Sequence, residues 1–121
     1  MVVAPPPSPP AVVRAWSAAL NRDDNAGAAR LFAPGARVVQ GAVDVRLTQP
    51  LALAFNASLP CAGHIVRMQV RGDTVVATFV LGERPKHRCD GPGQRAAALF
   101  VVRSGKIVLW EQVAVPQGLP A

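Results

Sequence analysis

The sequence predicts an α+β fold in which one strongly curved, mostly antiparallel sheet wraps around N-terminal helices and leaves a cone-shaped space between them. Three observations predict it. Apolar residues recur at helical spacing early in the chain and at period two later. Helices dominate the first half and a four-strand antiparallel meander follows them, which is an α+β order. Both kinds of element carry an apolar face, so each needs the other as cover, and half of the 121 residues are hydrophobic, enough for one core.

The elements follow in order. Residues 1–8 form a proline-rich arm whose composition favours an extended, poorly ordered segment; the domain itself spans 9–115, and 116–121 make a flexible tail. Ser8 followed by Pro9 reads as a helix N-cap and first helical position. Val12, Val13, Trp16, Ala19 and Leu20 then mark one face of a helix over 9–22. Asp23 or Asp24 caps a shorter helix with Ala28, Leu31 and Phe32 as its apolar face, stopped by Pro34-Gly35. Residues 36–40 and 42–47 read as short strands around Gly41. Thr48-Gln49-Pro50 opens a third helix with Leu51, Phe55 and Leu59 on one stripe, and Pro60 ends it. The second half reads as a four-stranded antiparallel meander over 64–71, 74–82, 95–103 and 106–115. In the first of these strands Val66, Met68 and Val70 share one face and Arg67, Gln69 and Arg71 the other, which places His64 on the side of Met68.

Charge and cysteine content narrow the function classes. Thirteen Lys+Arg against seven Asp+Glu give a formal net charge of +6. The arginines are spread one per element, unlike the clustered charge of nucleic-acid binders, so no nucleic-acid partner is expected. No window approaches the roughly 20 apolar residues of a membrane span, so no membrane partner is expected either. The N-terminal stretch lacks the basic and apolar regions of a signal peptide. Enrichment in Arg, Ala, Val and Pro points to a GC-rich bacterial genome. No glycine-rich phosphate loop joins a strand to a helix, and no other cofactor motif is present. Asn56-Ala57-Ser58 matches the glycosylation pattern but falls on a helix, and reads as chance.

The stretch ERPKHRCDGPGQ, residues 83–94, concentrates charge, His87 and Cys89 between two apolar runs. A tight turn at Gly72-Asp73 sets residue 71 opposite 74 and 61 near 84, which brings Cys61 beside the hairpin that carries Cys89. That register permits a Cys61–Cys89 disulfide and, with it, an oxidising compartment; the alternative is two free thiols in a cytosolic protein. Zinc requires about four ligands, and the two Cys and two His are scattered, so no metal is expected. Arg84, Lys86 and Arg88 form the one local basic cluster and read as an anion contact on a charged hairpin at the rim of the cone.

The segment VVRAWSAALNRDDNAGAARLFAPGARVV resembles the opening of the nuclear transport factor 2-like superfamily, in its SnoaL-like branch. The ending AALFVVRSGKIVLWEQV is similar to the last hairpin of that family. The likeness covers residues 10–115. It implies a cone-shaped, cystatin-like α+β barrel with a pocket, often dimeric through the outer face of the sheet. Members include isomerases, dehydratases, epoxide hydrolases, polyketide cyclases and proteins without catalysis, so the shared fold carries no chemistry by itself. The steroid isomerases of this fold use a tyrosine as oxyanion donor, and this chain has none.

Candidate site residues follow from strand phase. Asp44 and Glu111 are the acids on predicted strands, and with His64 they are the candidates for a catalytic base. On the last strand Trp110 and Gln112 share a face and Glu111 lies on the other; either face could be the inner one. Trp16, Phe55, Met68, Phe79, Phe100 and Trp110 are expected as core and cavity wall, with Gln40 and Gln112 as polar contacts. The leading expectation is a domain, most often a homodimer, that binds a small apolar ligand. The alternatives are an isomerase or hydrolase acting on a cyclic apolar substrate, and a protein-interaction module.

Overall fold

The computed structural model describes residues 4–117, and the ends of the arm and tail lie outside them. The elements run α1 (Pro9–Asn21), α2 (Asn25–Arg30), β1 (Phe32–Gln40), β2 (Val43–Leu47), α3 (Gln49–Ser58), β3 (Cys61–Arg71), β4 (Thr74–Glu83), β5 (Arg95–Arg103) and β6 (Lys106–Val113). This is the mixed α+β architecture expected, with N-terminal helices against one curved sheet that does not close. The six strands lie in the order β2-β1-β6-β5-β4-β3. The last four form the antiparallel meander. The parallel pairing of β1 with β6 then attaches the β1–β2 hairpin to its far side.

Local chemistry places the helices. Ser8 accepts the Ala11 N–H at the start of α1, and Pro9 costs nothing at a position where the N–H has no helical partner. Asp24 caps α2 through the Gly27 N–H, and Thr48 caps α3 through the Leu51 N–H. The buried face of α1 comprises Val12, Val13, Trp16, Ala19 and Leu20. Along α3 the buried positions are Ala52 and Asn56, with Phe55 half-buried; Leu51, expected on the same stripe, is 49 % exposed.

Cross-strand pairing generates the two faces of the sheet. One row runs Val38, Trp110, Phe100, Val75 and Val70, and the first four are buried under the helices. The alternate row runs Val39, Glu111, Leu99 and Val76 on the opposite, convex face.

Two expectations change here. Phe32 is the first residue of β1 rather than the last of α2, and β1 continues through Pro34-Gly35. At this edge of the ladder the proline lacks only an N–H that the strand can spare, and Gly35 takes a positive φ of 76°. In β3, which starts three residues earlier than expected, the pairing steps from Ile65↔Phe79 to Arg67↔Thr78, so Val66 is an extra, bulged residue. The bulge inverts the phase of everything before it. Ile65 joins Met68 against the core, while His64 and Val66 point outward and are exposed.

Candidate functional site: a cavity beneath the sheet

Between the helices and the sheet lies a cavity of about 240 Å³, lined by Trp16, Ser17 and Leu20 of α1, Gln40 of β1, Leu59 and Pro60 after α3, Cys61 and Gly63 of β3, Phe79 and Leu81 of β4, Asp90, Ala96–Ala98 of β5, and Trp110 and Gln112 of β6. Strand alternation explains the set. Trp110 and Gln112 lie two apart on β6, opposite Phe100 and Ala98 of β5, and Gln40 lies two beyond Val38 on β1. The inner face of β6 is therefore the Trp110 and Gln112 face.

The aromatic floor is a connected cluster. Trp16 packs edge-on against Phe100 at 5.3 Å between centroids and Phe79 at 6.2 Å, and Phe55 meets Trp110 at 5.0 Å. Phe55 and Phe100 thus sit behind the wall rather than on it, and Met68 packs against the core from β3 without reaching the cavity. The small residues Ala96 and Ala98, on the same face of β5 as Phe100, are what leave the space open.

Polar groups in and behind the wall are mostly committed to the scaffold. Trp16 Nε1 donates to Asn56 Oδ1 at 2.7 Å, and Asn56 Nδ2 donates to the Ala52 carbonyl. Asn56 is fully buried, so its glycosylation pattern is without meaning in the folded chain. Ser17 Oγ and Asn21 Nδ2 both donate to the Gly63 carbonyl at 2.9 Å, and Asn21 Oδ1 accepts the Gly63 N–H, which clamps α1 onto β3. A Cβ at position 63 would come within 2.7 Å of Phe79, so the close approach requires glycine. By contrast, Trp110 Nε1 is buried and meets no acceptor among the described residues.

The candidate bases are elsewhere. His64 is exposed and borders a shallow groove beside α1 with Arg14 and Arg67. Asp44 is half exposed on β2 and paired with Arg37 through two hydrogen bonds of 2.8 and 2.7 Å, which hold its carboxyl below the usual carboxylate range. Glu111 is on the convex face, opposite Val39 and Leu99. The structure brings none of these three together. Among the described residues the one ionisable side chain on the wall is Asp90, which strand-based reasoning passed over because it lies in the β4–β5 loop.

That loop is anchored twice. The Cys61 and Cys89 sulfurs are within bonding distance, with Cα atoms 4.5 Å apart. Cys61 pairs with Glu83 rather than residue 84, the one-residue slip contributed by the Val66 bulge. Arg84 supplies the second anchor. It is 2 % exposed, and it donates to Asp23 Oδ1 at 2.7 Å, to the carbonyls of Asn56 and Leu59 at 2.9 and 2.6 Å, and to Asn25 Oδ1. The expected anion contact of Arg84, Lys86 and Arg88 is therefore not formed: the first of the three is inside, saturated by Asp23, Asn25 and helix-end carbonyls. Burial by itself would raise the Asp23 carboxyl; the Lys86 N–H and the Arg84 guanidinium outweigh it and hold the group below its ordinary value. Asp23 adopts a positive φ of 60°, a conformation that Asp and Asn tolerate better than most residues. A composition signal distinguishing Arg84 from its basic neighbours is absent; only tertiary contact selects it.

Cys61, Cys89 and Asp90 place their heteroatoms within 4.8 Å of one another. With the sulfurs bonded to each other neither is a thiolate, and the single remaining carboxylate is too few donors for a zinc site.

The profile of the SnoaL-like domain family matches residues 13–110. Three similar solved structures are a nuclear transport factor 2-like protein of unknown function from Cytophaga hutchinsonii, an uncharacterised cystatin-fold protein from Novosphingobium aromaticivorans, and a hypothetical protein with a ketosteroid isomerase-like fold from Catenulispora acidiphila in complex with trimethylamine. The Cytophaga protein is 12 % identical with a TM-score of 0.74, covering 93 % of each chain. The Novosphingobium protein is 16 % identical with a TM-score of 0.71, covering 89 % of this chain and 99 % of its own. The Catenulispora protein is 22 % identical with a TM-score of 0.71, covering 87 % of this chain and 85 % of its own. No curated protein matches the chain. Identities this low establish the fold alone, and the family rests on the profile match. The chain belongs to the family of SnoaL-like domains.

Proposed function

We infer that this SnoaL-like domain binds a compact, largely apolar molecule in the cavity beneath its sheet. The observation that carries the reading is the wall itself: two tryptophans and a phenylalanine around a space that Ala96 and Ala98 leave open. Drug-sized ligands occupy pockets of about 300–1,000 Å³. A cavity of about 240 Å³ therefore suits a single ring or a short chain. The trimethylamine held by the Catenulispora protein is a molecule of that small class.

Both tryptophans of the chain line the cavity, so intrinsic fluorescence reports on occupancy. Titration with cyclohexanol and cyclohexanone is expected to give saturable changes in emission. A strictly linear response to both would remove the binding reading.

A second reading, proton-transfer catalysis on a cyclic apolar substrate, is favoured by one observation, Asp90 at the cavity rim. His64, Asp44 and Glu111 are not among the residues that line it. The third proposal is a homodimer formed through the convex face, supported by the half-buried apolar row of Val39, Leu99 and Val76 beside Leu109 and Val101. Sedimentation equilibrium tests it directly: a species of about one chain mass at high concentration would exclude it.

A further inference from the structure

The occupant can be specified further, on the footing of the cavity reading above. Among the described residues Asp90, exposed at the rim, is the only ionisable side chain on the wall, because Cys61 is joined to Cys89. In a chain of net charge +6, the single formal charge facing the cavity is thus negative. The other acids are engaged elsewhere. Asp23, Asp24, Asp44 and Asp73 pair with Arg84, Arg22, Arg37 and Arg103. Glu83 accepts the Cys89 N–H, and Glu111 is on the far side of the sheet. Asp90 makes no ion pair among the described residues; its Oδ1 lies 3.4 Å from the Cys61 sulfur, which has no proton to donate once bonded to Cys89.

The backbone beside the carboxylate is anchored, since the residue before it is fixed by the bond to Cys61 and by its own N–H on Glu83, while Asp90 itself is exposed at the rim. Inside the rim stand Trp16, Phe79 and Trp110, whose ring systems attract cations, tryptophan most strongly. We propose that the cavity takes a compact apolar amine in its protonated form, with the ammonium at Asp90 and the hydrocarbon body against Trp16, Phe79 and Trp110. Organic anions of the same size are disfavoured by the same carboxylate.

Calorimetric titration of the full chain at pH 7 with cyclohexylamine, cyclohexanol and cyclohexanecarboxylate tests this, repeated on Asp90→Asn. The amine is expected to bind about tenfold more tightly than the alcohol, from an ion pair and cation–π contact together, with the carboxylate weakest. Asp90→Asn is expected to bring the affinity for the amine down to that for the alcohol. Should that variant misfold, added salt provides the second readout: amine affinity falls with ionic strength while alcohol affinity does not. If the alcohol binds as well as the amine, or the preference survives Asp90→Asn, the cation assignment is overturned while the cavity reading stands. If none of the three binds, both fall together.

Discussion

At the scale of single residues, the two tryptophans make opposite predictions. Trp16 Nε1 is bonded to buried Asn56, so Trp16→Phe strands the Asn56 oxygen and costs about 1–3 kcal/mol beyond the lost ring area. Trp110 has no such partner, so Trp110→Phe loses only ring area and is the milder change. Urea denaturation of the two variants side by side checks the order. Arg84 carries a larger effect. Arg84→Met leaves the Asp23 carboxylate, Asn25 and the carbonyls of Asn56 and Leu59 without their donor, and a loss of about 3–5 kcal/mol is expected. The pH dependence follows from Asp23. Its carboxyl titrates near 3.8 when unfolded and lower when folded, so its stabilisation is complete above that value and is lost as pH falls through the folded one. Asp23→Asn, which keeps the residue's tolerance of positive φ, is expected to flatten the acid limb of stability in the same range; an unchanged limb would contradict this. None of these partnerships was legible in the sequence, because each joins residues far apart along the chain, as Arg84 to Asp23 across a separation of 61.

At the scale of elements, the junction of α1 and β3 decides whether the cavity keeps its shape. Gly63→Ala sets a methyl group against Phe79, and overpacking of this kind costs about 1–3 kcal/mol. The same change should also perturb the fluorescence of Trp16, which packs on Phe79, and an unaltered spectrum would count against the assigned contact. The link from Cys61 to Cys89 closes a segment of 28 residues, so its reduction, or replacement of both cysteines by serine, is expected to cost about 3–4 kcal/mol in the chain-entropy account. Denaturation with and without reductant measures it. Most elements were readable from caps and periodicity: Ser8-Pro9, Thr48 and the Gly72 turn mark their boundaries in the residues themselves. The strand phase of His64 was not, because a bulge is a property of the pair. Val66 looks regular in β3 alone and becomes the extra residue only when β4 is laid beside it.

At the scale of the whole molecule, sequence patterning sufficed for the α+β order, because capping and alternation are local, and for the family, because the opening and closing segments carry its pattern. The site was less legible. Helical spacing put Trp16 on the core side and alternation grouped Trp110 with Gln112 without telling which face is inner, whereas Asp90 sits in a loop that has no periodicity to read. What the fold achieves as a unit is to hold aromatic rings from a helix and two strands around the space left by Ala96 and Ala98, with a disulfide-anchored loop at the rim. The claim that this space is a binding site rests most directly on the Trp110 indole. In a proton–nitrogen correlation spectrum the chain has two indole signals, assignable by Trp110→Phe. Addition of cyclohexanone is predicted to move the Trp110 signal in a saturable way, because the residue lines the cavity. A Trp110 signal that stays in place while the ketone is raised to its solubility limit would contradict the account.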